Sequence, residues 1–60
     1  MSSKELIALL VEDGWYHDRT RGSHQVFKHP TKSNHITVPH PKKDLPKGTA
    51  QKIMKEAGLR

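Results

Sequence analysis

Each end of this 60-residue chain carries a short apolar segment that stops at a glycine followed by a large apolar residue. The first segment reads SSKELIALLVEDGW and the last reads IMKEAGL. A glycine suits the left-handed position just after a helix, and the next residue can fold back onto the last helical turn. Trp15 is therefore expected to cover Leu10, and Leu59 to meet Met54. The pattern predicts two helices, which leave only the middle of the chain for the rest of the fold.

The starts of the two helices are marked as well. Ser2 and Glu5 have the spacing of a capping box, so the first helix is predicted to begin there. The second helix is predicted to begin between Pro46 and Thr49, because proline is tolerated in a first turn. At helical spacing, the predicted apolar faces are Leu6, Ile7, Leu9, Leu10 and Val11 in the first helix, and Ala50, Ile53, Met54 and Ala57 in the second.

Three segments between the helices have the composition of strands. WYHDRT and HQVFKH flank the turn TRGS, where Gly22 can adopt a positive φ, so these two segments are expected to pair antiparallel. HITVP follows a second turn, PTKSN, and alternates apolar with polar residues. The order α-β-β-β-α predicts an α+β fold, with a three-stranded antiparallel sheet and two helices on one face. A chain of this length forms one domain, residues 1–60.

The composition says more about what the chain binds than about how it folds. The chain has no cysteine and 32% apolar residues, so its core is small. Its formal charge of +5 suits a polyanion, either nucleic acid or an acidic protein, although a merely solvated surface is the alternative. No apolar run approaches the roughly 20 residues of a membrane span. The first residues lack the features of a signal peptide, so a cytoplasmic protein without membrane contact is expected.

His24 is the residue in the middle of the chain with the clearest chemical potential. Successive side chains of a strand point to opposite faces, and Phe27 is the largest apolar group of the second strand. If Phe27 faces the helices together with Gln25 and His29, then His24 and Lys28 project from the open face. Val26 would be left exposed on that face. A histidine can take or give a proton near neutral pH, but a turn histidine without a role is the alternative.

Further basic groups are expected near His24. The loop PHPKKDLPKG supplies Lys42 and Lys43 at the end of the third strand, and with Lys28 they predict a basic surface suited to a phosphodiester. The remaining histidines have other predicted places. His29 and His35 bracket a turn that they are expected to cap. His17, which alternates with Trp15 and Arg19, is expected at the surface, and His40 is within reach of the strand ends.

Neither a metal centre nor a serine–histidine dyad is predicted, and no cofactor is expected. His35 and His40 are five residues apart, but Pro39 and the change from strand to loop separate them. Most carboxylates belong to the helix ends, whereas a two-metal nuclease needs a dense acidic cluster. Ser23 and His24 are neighbours on a strand, so their side chains would point to opposite faces.

The segments SSKELIALLVEDGW, RGSHQVFKHP, ITVPHPKKDLPKGT and IMKEAGL, in this order, resemble the HicA family of toxins from bacterial type II toxin–antitoxin pairs. The resemblance covers essentially the whole chain. It implies a fold like that of double-stranded-RNA-binding domains and ribosome-independent cleavage of mRNA. It also implies a HicB antitoxin as partner and places the catalytic histidine at His24. Many relatives have a second histidine directly afterwards, where this chain has Gln25.

The resemblance and the strand pattern together suggest a mechanism. We expect metal-independent cleavage in which His24 carries a proton and Lys28 is the first candidate to stabilise the phosphorane. His40 is a possible second proton carrier. The other predicted RNA and phosphate contacts are Arg21, Gly22, Ser23, Lys42 and Lys43. Two alternatives remain: a non-catalytic RNA-binding module, and a subunit that assists a DNA-binding antitoxin at its operator, which it would contact only through the antitoxin.

Overall fold

The computed structural model describes residues 1–59 and contains the five elements in the predicted order. They are helix α1 (Ser3–Glu12), strands β1 (Tyr16–Arg21), β2 (His24–Lys28) and β3 (Ile36–Pro39), and helix α2 (Lys47–Glu56). The strands form one antiparallel sheet in the order β1-β2-β3. The predicted α+β class and the α-β-β-β-α order are thereby confirmed. No helix of residues 1–59 is long and apolar enough to cross a membrane.

The helix ends have the predicted caps. The Ser2 hydroxyl accepts from the Glu5 backbone N–H, and the Glu5 carboxylate accepts from the Ser2 N–H. At the end of α1, the Trp15 N–H bonds the Leu10 carbonyl at 3.0 Å. At the end of α2, the Leu59 N–H bonds the Met54 carbonyl at 2.9 Å. Each apolar residue therefore returns onto its helix as the sequence indicated.

The core lies between the helices and one face of the sheet. Phe27 pairs with Ile36 across β2 and β3, and Gln25 pairs with Val38, so these four side chains share the helix-facing side. The buried cluster is Leu6, Leu10, Trp15, Phe27, Ile36, Val38, Leu45, Ala50, Ile53 and Ala57. Phe27 was predicted to face the helices, and this placement is confirmed.

Two details differ from the sequence predictions. Leu9 and Val11 were assigned to the apolar face of α1 but are 38% and 54% exposed, whereas Leu6 and Leu10 are buried and Ile7 packs against the core. A bulge interrupts the pairing between His17 and Arg19, so these two residues do not share a face. His17 packs edge-on against Phe27, whereas Arg19 pairs with Val26 on the other face.

The loop between β2 and β3 attaches the sheet to the ends of both helices. His29 lies 2.8 Å from the Asp13 carbonyl at the end of α1. Lys32 donates to the Asp13 carboxylate and to the Ala57 carbonyl, both at 2.8 Å, and Asn34 donates to the Glu56 carbonyl at 2.9 Å. These bonds satisfy carbonyl groups that a helix cannot satisfy internally. The Lys32 hydrogen bond also holds the pKa of Asp13 below its usual value.

Gly14 lies where the loop between β2 and β3 meets the end of α1, and this junction requires a glycine. Its φ is +104°, and a Cβ at this position would meet the His29 ring nitrogen at 2.9 Å. We expect Gly14→Ala to destabilise the fold by at least about 1–2 kcal/mol, from the left-handed backbone alone. Gly48→Ala is the matched control, because Gly48 lies in α2 with open space around it. Chemical denaturation should show a gain of roughly 0.5–1 kcal/mol for the control. Equal stabilities would contradict this view of the junction.

Candidate functional site

The sheet face opposite the helices holds a groove of about 460 Å³. Strand pairing explains its composition, because Arg21, His24 and Pro39 form one row across the three strands. Arg19, Val26 and Thr37 form the next row on the same face. The side chains that line the groove are Arg19, Arg21, His24, Val26, His35 and Thr37.

Val26 was predicted to be exposed on the open face, and this prediction is wrong. It lies on the open face with His24, as the strand period indicated, but its exposure is only 3%. Its neighbours across the strands on this face are Arg19 and Thr37, and both line the groove with it. Val26 thus forms an apolar floor, and the long arginine side chains and the histidine rings make the walls of the groove.

A turn with two central residues holds His24 at the end of the groove. Arg21 and His24 are paired, which leaves Gly22 and Ser23 as the turn. Gly22 has a φ of +60°, the value required at the first position of a type II′ hairpin turn. The Ser23 carbonyl accepts the His40 backbone N–H at 2.8 Å, which attaches the turn to the end of β3. His24 itself is exposed and accessible to a substrate.

A second groove of about 390 Å³ continues from the first toward α2. Both grooves include His24, His35 and Thr37. The second adds Pro39 at the end of β3 and four residues of α2, which are Thr49, Lys52, Ile53 and Glu56. The two adjoining grooves, together called the trough, extend over the open face from β1 to α2. The trough has two arginines at one end and a lysine with a glutamate at the other.

The predicted phosphate-binding residues occupy three places. Arg21, Gly22 and Ser23 are adjacent to His24. Lys28 is four residues along β2 from His24, roughly 13 Å at 3.3 Å per residue, and its ammonium lies 3.9 Å from the Asp18 carboxylate. Asp18 also accepts from Arg19 at 2.9 Å.

Lys42 and Lys43 line a separate cavity beside the first turn of α1. His40 lines the same cavity and its Nδ1 lies 2.7 Å from the buried Ser3 hydroxyl. Ser3 Oγ also accepts the Lys42 backbone N–H at 2.9 Å, which fixes the loop against α1. The structure thus brings Arg21 to His24 but places Lys28, Lys42, Lys43 and His40 outside the groove that His24 lines.

His29 has the structural position predicted for it. Its Nδ1 accepts the Thr31 backbone N–H at 3.1 Å, so the neutral ring carries its proton on Nε2 and donates it to the Asp13 carbonyl. The ring also packs edge-on against Trp15. His35 does not share the predicted capping role and lines the trough instead. Its alternation with Ile36 and Val38 in the sequence was the signal for that face.

Arg19 and Lys52 are the basic residues of the trough that sequence reasoning missed. The bulge in β1 brings Arg19 to the open face, and no local pattern marks that bulge. Lys52 lies on α2, so its position depends on how the helix packs against β3. Among residues 1–59, no group of three or more histidine, cysteine, aspartate or glutamate side chains is placed to hold a metal ion.

A small α-β-β-β-α domain with a basic trough on its open sheet face has close structural relatives among toxin–antitoxin complexes. A toxin–antitoxin complex from Streptococcus pneumoniae contains a chain with a TM-score of 0.83 and 35% identity, with 98% of each chain covered. A HicA3 and HicB3 toxin–antitoxin complex contains one with a TM-score of 0.79 and 36% identity, with 100% of this chain and 97% of the other covered.

The sequence comparison agrees with these structural matches to toxin–antitoxin complexes. Residues 3–59 match the family model described as HicA toxin of bacterial toxin–antitoxin. This chain therefore belongs to the HicA toxin family. A search of curated proteins gives no match.

Proposed function

We propose that this chain is a metal-independent endoribonuclease that cleaves mRNA, inhibits translation and growth, and is neutralised by a HicB-type antitoxin. The observation that carries the proposal is the groove in which exposed His24 stands beside Arg21, with Arg19 in the next row. The two arginines can bind the negative charge of a phosphodiester, and the histidine ring beside them can transfer a proton during its cleavage. An RNA-binding surface without catalysis needs only the cations.

The reaction uses the RNA's own nucleophile. The ribose 2′-hydroxyl attacks the adjacent phosphorus, its proton passes to a base, and the bond to the 5′-oxygen breaks as that oxygen receives a proton. His24 carries one of these protons. Arg21 is better placed than Lys28 to stabilise the phosphorane, because Arg21 is paired with His24 and lines its groove, whereas Lys28 lies outside the groove with its ammonium 3.9 Å from the Asp18 carboxylate. The products are a 2′,3′-cyclic phosphate and a 5′-hydroxyl.

The other basic residues bind the RNA backbone away from the scissile bond. Lys28 lies outside the groove that His24 lines and contacts a neighbouring phosphate. Lys42 and Lys43 lie beyond the hairpin turn and steer the RNA strand. The backbone of Gly22 and Ser23 borders the phosphate. Since the substrate is mRNA, the protein acts in the cytoplasm. Any contact with operator DNA is made through the antitoxin.

The antitoxin is expected to cover the His24 groove. The supporting observation is that the structural relatives are found in complexes with antitoxins. A basic groove on an exposed sheet face also offers an acidic protein surface the same electrostatic attraction that it offers RNA.

Purified protein and mRNA in the presence of a chelator provide the test of this function. We expect RNA fragments to accumulate, and addition of a HicB-type antitoxin to suppress them. A non-catalytic binding module would retard the RNA in a gel without shortening it. Cleavage that is lost in chelator and restored by Mg²⁺ would contradict the metal-independent reaction.

A further inference from the structure

Two histidines, and no others, line the trough on the open face. His24 and His35 both belong to each of the two grooves that form it. The other three histidines of the chain are held elsewhere: His17 against Phe27, His29 at the Asp13 carbonyl and His40 at the Ser3 hydroxyl. His35 thus has a position that the established family membership does not explain.

The two histidines stand at opposite ends of one apolar floor. His24 pairs with Pro39, and His35 precedes Pro39 by four residues, so the two backbones are roughly 13 Å apart along the strand direction. The Val26–Thr37 pair lies between them. Val26 is 3% exposed and lines the first groove together with both histidines. Both rings therefore border the space above Val26, which has room for a phosphodiester and its riboses.

The backbone around His35 is anchored on both sides. Asn34 donates its side-chain N–H to the Glu56 carbonyl of α2 at 2.9 Å. Ile36 is 2% exposed and belongs to the core. A residue between two such anchors is held in place before substrate arrives, which is the condition for effective proton transfer.

We propose that His35 is the second proton carrier of the reaction, opposite His24 across the trough. This inference rests on the proposed ribonuclease function. One histidine, in its neutral form, takes the proton of the 2′-hydroxyl as the bond from that oxygen to phosphorus forms. The other, in its protonated form, gives a proton to the 5′-oxygen as its bond to phosphorus breaks. No other reactant is consumed, and the two rings end with their protonation states exchanged.

Several charged groups surround this pair and contribute to its pH dependence. Arg19 and Arg21 on β1 and Lys52 and Glu56 on α2 line the trough, and the Asp18 carboxylate, which also lies 3.9 Å from the Lys28 ammonium, accepts from Arg19. With one base and one acid required, the rate is expected to rise and then fall with pH. Loss of either histidine should remove one limb of that profile.

The test combines His35→Ala with an RNA oligonucleotide in which sulfur replaces the bridging 5′-oxygen at the cleavage site. A thiolate leaves without a proton, so this substrate does not need an acid. On ordinary RNA, both His35→Ala and His24→Ala are expected to lose about 10²–10⁴-fold in rate. On the sulfur substrate, the variant that lacks the acid should recover most of that loss, whereas the variant that lacks the base should not. His17→Ala, with an exposed histidine removed from the other face, should cleave both substrates at the normal rate.

The outcomes separate this inference from the proposed function. If the normal protein cleaves RNA and His24→Ala does not, but His35→Ala cleaves as well as the normal protein, His35 is not a proton carrier and the function stands. Failure of the sulfur substrate to rescue either variant would also overturn the paired roles. If the normal protein cuts no RNA, the function itself fails. Melting temperatures should be similar throughout, because both trough histidines are exposed.

Discussion

Replacing His24 with alanine is expected to reduce RNA cleavage by about 10²–10⁴-fold, the usual contribution of a positioned proton carrier. The same variant should no longer arrest growth when it is produced without antitoxin. The physical reason is local: His24 is exposed beside Arg21 at the end of the groove, and it makes no contribution to the buried core. Rates on a defined RNA, measured with chelator present, give the size of the effect.

A second histidine on a strand, His17, provides the control for this experiment. His17→Ala also removes an imidazole from a strand, but from the face where His17 packs against Phe27. We expect His17→Ala to cleave at nearly the normal rate, and His24→Ala to unfold at nearly the normal temperature. Equal cleavage by the His24 variant and the normal protein would remove His24 from the mechanism.

Phe27→Ala should have the largest effect on stability. Phe27 is 2% exposed and lies between the sheet and the helices, and loss of a buried phenyl ring costs about 3–5 kcal/mol. A 60-residue domain has in total only about 3–9 kcal/mol of stability, at roughly 0.05–0.15 kcal/mol per residue. The substitution should therefore remove roughly a third of the stability or more, and all of it at the lower end of that range, so circular dichroism should show a large fall in the denaturation midpoint.

Tyr16→Ala is the matched control for that loss. Tyr16 is also aromatic and belongs to β1, but it is 49% exposed. We expect its removal to change stability by no more than about 0.5 kcal/mol. An antitoxin that binds only the folded toxin should partly restore the Phe27 variant by mass action. A Phe27 variant with an unchanged denaturation midpoint would contradict the assignment of the core.

The features that the sequence predicted are those set by local rules. The capping box at Ser2 and Glu5 and the glycine stop before Trp15 need only a few consecutive residues, and both are confirmed. Strand alternation likewise placed Phe27 inward and His24 outward. These rules predicted the order of the elements and the exposed histidine.

The features that the sequence did not predict depend on contacts between distant segments. The bulge that brings Arg19 to the open face has no local signature. Val26 lies on the open face yet is only 3% exposed among the side chains that line the groove, which strand period alone cannot show. His35 belongs to the trough because the pairing of β2 with β3 and the anchor of Asn34 on α2 place it there.

The chemical ends of the RNA fragments test the central claim most directly. The normal protein would be incubated with a defined mRNA in chelator, and the fragments examined for a 2′,3′-cyclic phosphate and for a free 5′-hydroxyl. We expect both ends, because attack by the 2′-hydroxyl with proton transfer through His24 yields no others at this step. Fragments with 3′-hydroxyl and 5′-phosphate ends would show that water, not the ribose, is the nucleophile, and would contradict the mechanism.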